Sequence, residues 1–242
     1  MLYGVDISNW QSDLKLKNIF SKIDFVICKA TEGINFVDKY CDSWIQDAIK
    51  YDLLWGFYHF ARNNDPEKEA LFFYENCKNY FGKGIPVLDI ESSSIESWGR
   101  YAQIFTDKVH ALSGVYPIVY TSAAYLSRFA HTTVPKNCGL WIAGYPSNDK
   151  ATFQPEKKLP YSIKPWNIVA MWQFTSKGQV EGYDNFLDLD YAYMDSNAWK
   201  KYAICDIVDN VDKVTGNTQP IPYVNETHKF EDDKMTVTIT MK

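Results

Sequence analysis

The sequence predicts an α/β fold, an irregular (β/α) TIM-like barrel, on three observations. Eight short apolar runs recur through the first ~200 residues, helical segments separate the early runs, and that alternation fades after residue 130. The runs fall at 2–7, 23–30, 53–60, 85–90, 115–121, 140–144, 168–174 and 186–189. Most are nearly continuous rather than alternating, as expected of parallel strands covered on both faces.

The elements follow in chain order. A helix is expected over 40–51, and a clearer one over 66–81, where Ala70, Phe73, Tyr74 and Cys77 share a face. Asp65 as N-cap and Pro66 as first helical residue define its start. A third helix is expected over 98–112 and a shorter one after Thr121. The stretches 132–137 and 147–166 carry Pro, Lys and polar residues without helical period, so loops are expected to join the last strands. Residues 1–203 are thus read as the barrel. Residues 204–242 are read as a polar linker, containing Pro220 and Pro222, followed by one strand over 235–241 with strict period-two alternation. Such a strand suits the start of a wall-binding module or an element of self-association.

Composition narrows the function. With 242 residues, 46% of them hydrophobic, the chain can bury a large core. A net charge of -5 and scattered Lys and Arg give no basic stripe for phosphates, which argues against a nucleic-acid partner. Eight Trp and seventeen Tyr supply flat rings that can stack on sugar faces, although any single ring is as well explained by core packing. The five cysteines show neither metal-ligand spacing nor an even count, so most are expected as buried thiols, and no cofactor or metal is implied. No apolar stretch is long enough to insert in a membrane. The opening residues lack the pattern of a signal peptide, which points to synthesis in the cytoplasm.

In a parallel barrel the chemistry sits at the C-terminal strand ends. There the sequence places Asp6 on the first run, Asp89 and Glu91 on the fourth, and Asp188 in the eighth. Asp89 and Glu91 are two residues apart and so face the same side. Crowded carboxylates raise one another's pKa, which keeps a carboxylic acid protonated near neutral pH and able to donate to a glycosidic oxygen. Capping or turn roles would explain each acid separately, but not their convergence on one mouth.

Ordered along about 200 residues, Gly4-Val5-Asp6-Ile7-Ser8 with Trp10-Gln11, Lys29-Ala30-Thr31-Glu32-Gly33, Gly56-Phe57-Tyr58-His59-Phe60, Asp89-Ile90-Glu91, Leu140-Trp141-Ile142-Ala143-Gly144-Tyr145 and Trp172-Gln173-Phe174-Thr175 resemble the glycoside hydrolase family 25 muramidases. These Chalaropsis-type lysozymes occur among bacteriophage endolysins and bacterial autolysins. The resemblance implies a barrel whose helices surround mainly the first five strands, and a cofactor-free muramidase acting on bacterial peptidoglycan. It implies Glu91 as general acid/base, with Asp6, Asp89 and Asp188 as the other acids of the site. Tyr58, Tyr120, Trp141, Tyr145, Trp172 and Gln173 match positions that hold substrate. The closing motif Asp188-Leu189-Asp190 departs from the familiar Asp-Leu-Asn, leaving two acids for one role.

The second half of the reaction has two routes, attack by an Asp or closure of the substrate's own 2-acetamido group. A non-catalytic wall-binding or phage structural protein on the same barrel would be marked by loss of Glu91 or Asp6, and both are present. A chitinase-like barrel would carry Asp-x-x-Asp-x-Asp-x-Glu, which residues 84–91 do not supply. An enzyme of this kind acts on the wall after release from the cell, through a holin if phage-encoded.

Overall fold

The computed structural model describes residues 1–154, 158–204, 224–231 and 234–241, the last two segments as backbone strands. The chain divides into two compact units, Met1–Asp206 and Ile207–Lys242.

In the first unit β1 (Leu2–Ile7), β2 (Phe25–Glu32), β4 (Leu54–Phe60), β5 (Ile85–Asp89), β6 (Ile118–Ser122), β7 (Leu140–Ala143), β8 (Met171–Val180) and β9 (Tyr183–Ala192) form one sheet, closed into a barrel by pairing of β1 with both β2 and β9. A two-residue strand, β3 (Phe36–Val37), extends β2. Apart from the short β3, which pairs antiparallel with β2, the pairings from β1 through β2 to β8 are parallel, whereas β9 is antiparallel to β8 and to β1. The uniform parallel direction read from the apolar runs therefore fails at the last strand. β8 and β9 are a hairpin joined at Glu181 and Gly182, and its tip is largely exposed, at Ser176, Lys177 and Gln179 of β8 and at Asp184, Asn185 and Phe186 of β9. That exposed stretch broke the apolar signal and made both strands look short. Gly182 has φ 105°, and a Cβ there would lie 2.2 Å from the Asn18 carbonyl oxygen, so the turn needs glycine.

The helices lie where the 3.6-residue period placed them: α1 (Cys41–Lys50), α2 (Pro66–Cys77) and α3 (Trp98–Ser113). Asp65 caps α2 by accepting from the Glu67 amide at 2.9 Å, and Ala70, Phe73 and Cys77 are buried against the barrel with Tyr74 half-buried. After β6 the connection shortens to a 3-10 helix, Ala123–Phe129, and a one-turn helix, α4 (Val134–Asn137), within a stretch expected to be loop. The described cysteines, Cys28, Cys41, Cys77 and Cys138, are buried free thiols. No helix among the described residues is long and apolar enough to cross a membrane.

Inside the barrel, Phe25, Ile27, Ile85, Val87, Ile118 and Met171 fill the lower half. A helix the sequence did not announce, α5 (Ser196–Ala203), contributes to this core: Asp195 caps it, and the buried Trp199 ring lies 4.7 Å from Phe25. A filled lower half leaves only the C-terminal end of the barrel open for a site.

In the second unit β10 (Val224–Glu231) and β11 (Lys234–Met241) pair antiparallel, from Val224 opposite Met241 to Glu231 opposite Lys234. The expected terminal strand thus has its partner within the tail, and the tail holds a hairpin rather than a single strand. The linker at 206–223 lies outside the described residues.

Candidate active site

The open end of the barrel holds a cavity of about 380 Å³ lined by Asp6, Asp89, Glu91 and Asp188, by Tyr58, Tyr120, Trp141 and Tyr145, and by Gln173, Lys29 and Trp10. Strand register explains why the acids meet. Asp6 on β1 is directly opposite Asp188 on the antiparallel β9, so the two carboxyls are cross-strand neighbours. Asp89 ends β5, beside Phe60 and Tyr120 of the flanking strands, and Glu91 follows two residues later on the open rim. Asp6 and Asp89 are buried, while Glu91 is exposed to the mouth.

Gln173 organises one wall. Its Nε2 donates to Asp6 Oδ2 at 2.6 Å, and its Oε1 accepts from the Tyr120 hydroxyl at 2.8 Å and the Tyr145 hydroxyl at 2.6 Å. The amide oxygen is therefore saturated and the amide nitrogen committed to Asp6, orienting Asp6 and two phenols together. Trp141 packs edge-on against Tyr120, ring centroids 4.7 Å apart, and donates its Nε1 to Asp190 Oδ1 at 2.8 Å.

Every acid of the cavity has its pKa raised, in each case chiefly by burial. Asp6 is pushed to about 6 because burial and the nearby Glu91 outweigh the hydrogen bonds it accepts. Asp188 is pushed to about 8 by burial, Asp6 and Glu91. Asp89 lies well above the usual carboxylate range, and its Oδ1 has no hydrogen-bond partner among the described residues. Glu91 is raised by desolvation, with Lys29 opposing.

Lys29 is the one cation lining the cavity among the described residues. Its Nζ binds Glu32 at 2.5 Å and sits 4.9 Å above the Phe60 ring, and Glu32 also accepts from Arg62 Nε at 2.7 Å. A β-bulge between Lys29 and Thr31 turns the lysine into the mouth and the threonine toward His59.

Nine of the ten residues expected at the site line this cavity. Trp172 does not: it is buried on the outer side, donates its Nε1 to the Gly144 carbonyl at 2.8 Å and packs on Tyr161, Phe174 and Tyr191. Adjacent strand residues point to opposite faces, so Gln173 and Trp172 cannot both face inward. The open question at β9 also resolves in position: Asp188 lines the cavity, while Asp190 is fully buried beneath it. Reasoning from residue type missed Lys29 and Trp10. A lysine inside the apolar run Phe25–Glu32 was the available signal for the first. Trp10, 84% exposed on the rim, stands where Ser8 caps the short helix Asn9–Gln11 and Asp38 accepts from the Asn9 amide at 2.7 Å.

A barrel with one sealed end and an open, acid-lined, aromatic-walled mouth is the architecture of a glycoside hydrolase. Comparison with known proteins gives the family. Residues 5–183 match the model of glycosyl hydrolases family 25, and the chain belongs to that family. It is 27% identical over 194 residues to an autolytic lysozyme of Clostridium acetobutylicum, covering 77% of this chain but only 54% of that protein. It is 31% identical over 142 residues to an N,O-diacetylmuramidase of Chalaropsis sp., covering 51% of this chain and 67% of the other. Among solved structures, a family 25 lysozyme from Aspergillus fumigatus superposes with a TM-score of 0.66 at 27% identity, over 84% of this chain and 98% of that one.

Proposed function

We propose that the protein is an N-acetylmuramidase that hydrolyses the β-1,4 bond between N-acetylmuramic acid and N-acetylglucosamine in bacterial peptidoglycan, with Glu91 as the proton donor. The observation that carries this reading is the position of Glu91. It is the cavity acid open to solvent at the mouth, and its pKa is raised, as a donor to a leaving oxygen requires.

In this reading protonated Glu91 donates to the leaving oxygen as the anomeric carbon gains oxocarbenium character. The substrate's 2-acetamido oxygen closes on that carbon as the glycosidic bond breaks, and one of the buried aspartates polarises the acetamido N–H. Glu91, now a carboxylate, takes a proton from water, which opens the ring with overall retention. Asp6 is suited to the polarising role because Gln173 fixes its orientation. Tyr58, Tyr120, Trp141 and Tyr145 supply walls for sugar rings, and Trp10 a platform at the rim.

The biological use we propose is wall lysis after release from the cytoplasm, by way of a holin if the chain is phage-encoded. Self-association through the tail is a further proposal, checked by sedimentation of the full chain over a range of concentrations.

Digestion of purified peptidoglycan by the protein and by Glu91→Gln, followed by borohydride reduction and mass spectrometry, tests the assignment. Muramitol ends from the first and a rate lower by about 10²- to 10⁴-fold from the second are expected. Glucosaminitol ends would place the cut at the other bond, and equal rates would remove Glu91 from the mechanism.

A further inference from the structure

One buried acid lies outside the cavity and takes no part in the reaction outlined above. Asp190 on β9 is opposite Gly4 of β1 and Gln173 of β8, and is 0% exposed. Trp141 satisfies its Oδ1. Its Oδ2 has no hydrogen-bond partner among the described residues. The Asp6 carboxyl, diagonal to it across the β1–β9 pairing and bonded to the Gln173 that is opposite Asp190, is the acidic group close enough to share a proton with it. Two carboxylates have no donor between them, so a hydrogen bond joining them requires a proton on one.

We propose that Asp190 carries this proton and donates it to Asp6, making Asp190 a positioning residue that holds Asp6 from beneath the cavity while Gln173 holds it from the side. The surroundings decide which acid keeps the proton. Asp6 accepts from the Gln173 amide and borders the open cavity, both of which favour its charged form. Asp190 is enclosed, and among the described residues the titratable groups facing it are the acids Asp6 from β1 and Asp188 from its own strand, together with the neutral phenol of Tyr145. Trp141 of β7 and Gln173 of β8 add only neutral dipoles. Burial accordingly pushes Asp190 well above the usual carboxylate range, whereas the hydrogen bond from Gln173 acts on Asp6 in the opposite direction. At neutral pH Asp190 then serves as a neutral hydrogen-bond donor, a role an amide could fill.

The role in turnover rests on the proposed muramidase reading, whereas the protonation state does not, and the experiment separates the two. Wild type, Asp190→Asn and Asp190→Leu are compared at neutral pH by infrared difference spectroscopy, by thermal unfolding from about pH 4 to 8, and by peptidoglycan turnover. The expected results are a protonated-carboxyl C=O band in wild type that is missing from Asp190→Asn, and a stability advantage of Asp190→Asn that widens as pH rises above about 4. Turnover is expected to stay within about twofold in Asp190→Asn, and to fall about tenfold to a hundredfold in Asp190→Leu, mainly in kcat. Absence of the band would overturn the proposal, as would an Asp190→Asn variant as inactive as Asp190→Leu, because the acid itself would then be needed. If the wild type cleaves no peptidoglycan, the muramidase reading fails, and the band and the stability gap still decide the state of Asp190.

Discussion

Two buried polar clusters lie on opposite faces of the same sheet, and they are wired in opposite ways. On the outer side, Glu69 accepts from His59 Nε2 at 2.8 Å, from the Arg62 amide at 3.0 Å, and from the Asn64 amide and side chain at 3.1 and 2.9 Å. His59 in turn is held by the Thr31 hydroxyl at 2.8 Å on Nδ1. A hydroxyl donating to Nδ1 leaves the ring proton on Nε2, so a neutral histidine donates to an ionised glutamate. Burial alone would raise Glu69, but these donors overcome it and hold the carboxyl below its usual range; burial also lowers His59. On the inner side, Asp6, Asp89, Asp188 and Asp190 crowd together, Asp89 Oδ1 and Asp190 Oδ2 find no N–H or O–H donor among the described residues, and all four are raised. One cluster is arranged to hold its charge; the other gathers carboxyls that resist ionisation where a substrate enters.

The largest expected effect that sharpens this contrast is Glu69→Ala. It strands the His59 and backbone donors and should lower unfolding stability by about 1–3 kcal/mol for each buried donor left unpaired, with turnover of the folded fraction retained. Chemical denaturation paired with peptidoglycan turnover measures both. A stable but inactive variant would break the comparison by giving the outer cluster a catalytic part.

Asp188→Asn should act with the opposite sign. The folded-state pKa of Asp188, about 8, exceeds the ordinary 3.8, so its contribution to stability is present below about pH 4 and lost as pH rises toward 8. The amide removes that loss. The variant should therefore unfold at a higher temperature than wild type at pH 7, with the gap closing near pH 4, while turnover falls. The outer cluster supplies the reverse slope: the lowered Glu69 and His59 stabilise above about pH 6.5 and lose that contribution as pH falls. A gap independent of pH would show that Asp188 is not the strained acid its surroundings make it.

The smallest effects compare two tryptophans. Trp10→Ala on the exposed rim should raise KM for peptidoglycan about two- to tenfold and leave the melting temperature nearly unchanged. Trp172→Phe should cost about 1 kcal/mol of stability through the lost bond to Gly144, with KM unaltered. Exchanged outcomes would mean that the rim platform and the outer core have been assigned the wrong way round.

What the chain alone determined was local. Continuous apolar runs marked the parallel strands, the 3.6-residue period and the Asp65-Pro66 cap marked α2, and the two-residue spacing of Asp89 and Glu91 put both on one face, because each depends on a few neighbouring residues. The ordered motifs carried the family. Pairing between distant segments was decided by tertiary structure. The reversed direction of β9 sets Asp188 beside Asp6 and sends Asp190 beneath the cavity, Trp199 closes the core from a helix of only eight residues, and the bulge in β2 delivers Lys29 to the mouth. A sequence states which face a residue shares with its neighbours along the strand; only the register between strands states which residue it meets across them, and the chemistry of this site lies in those meetings.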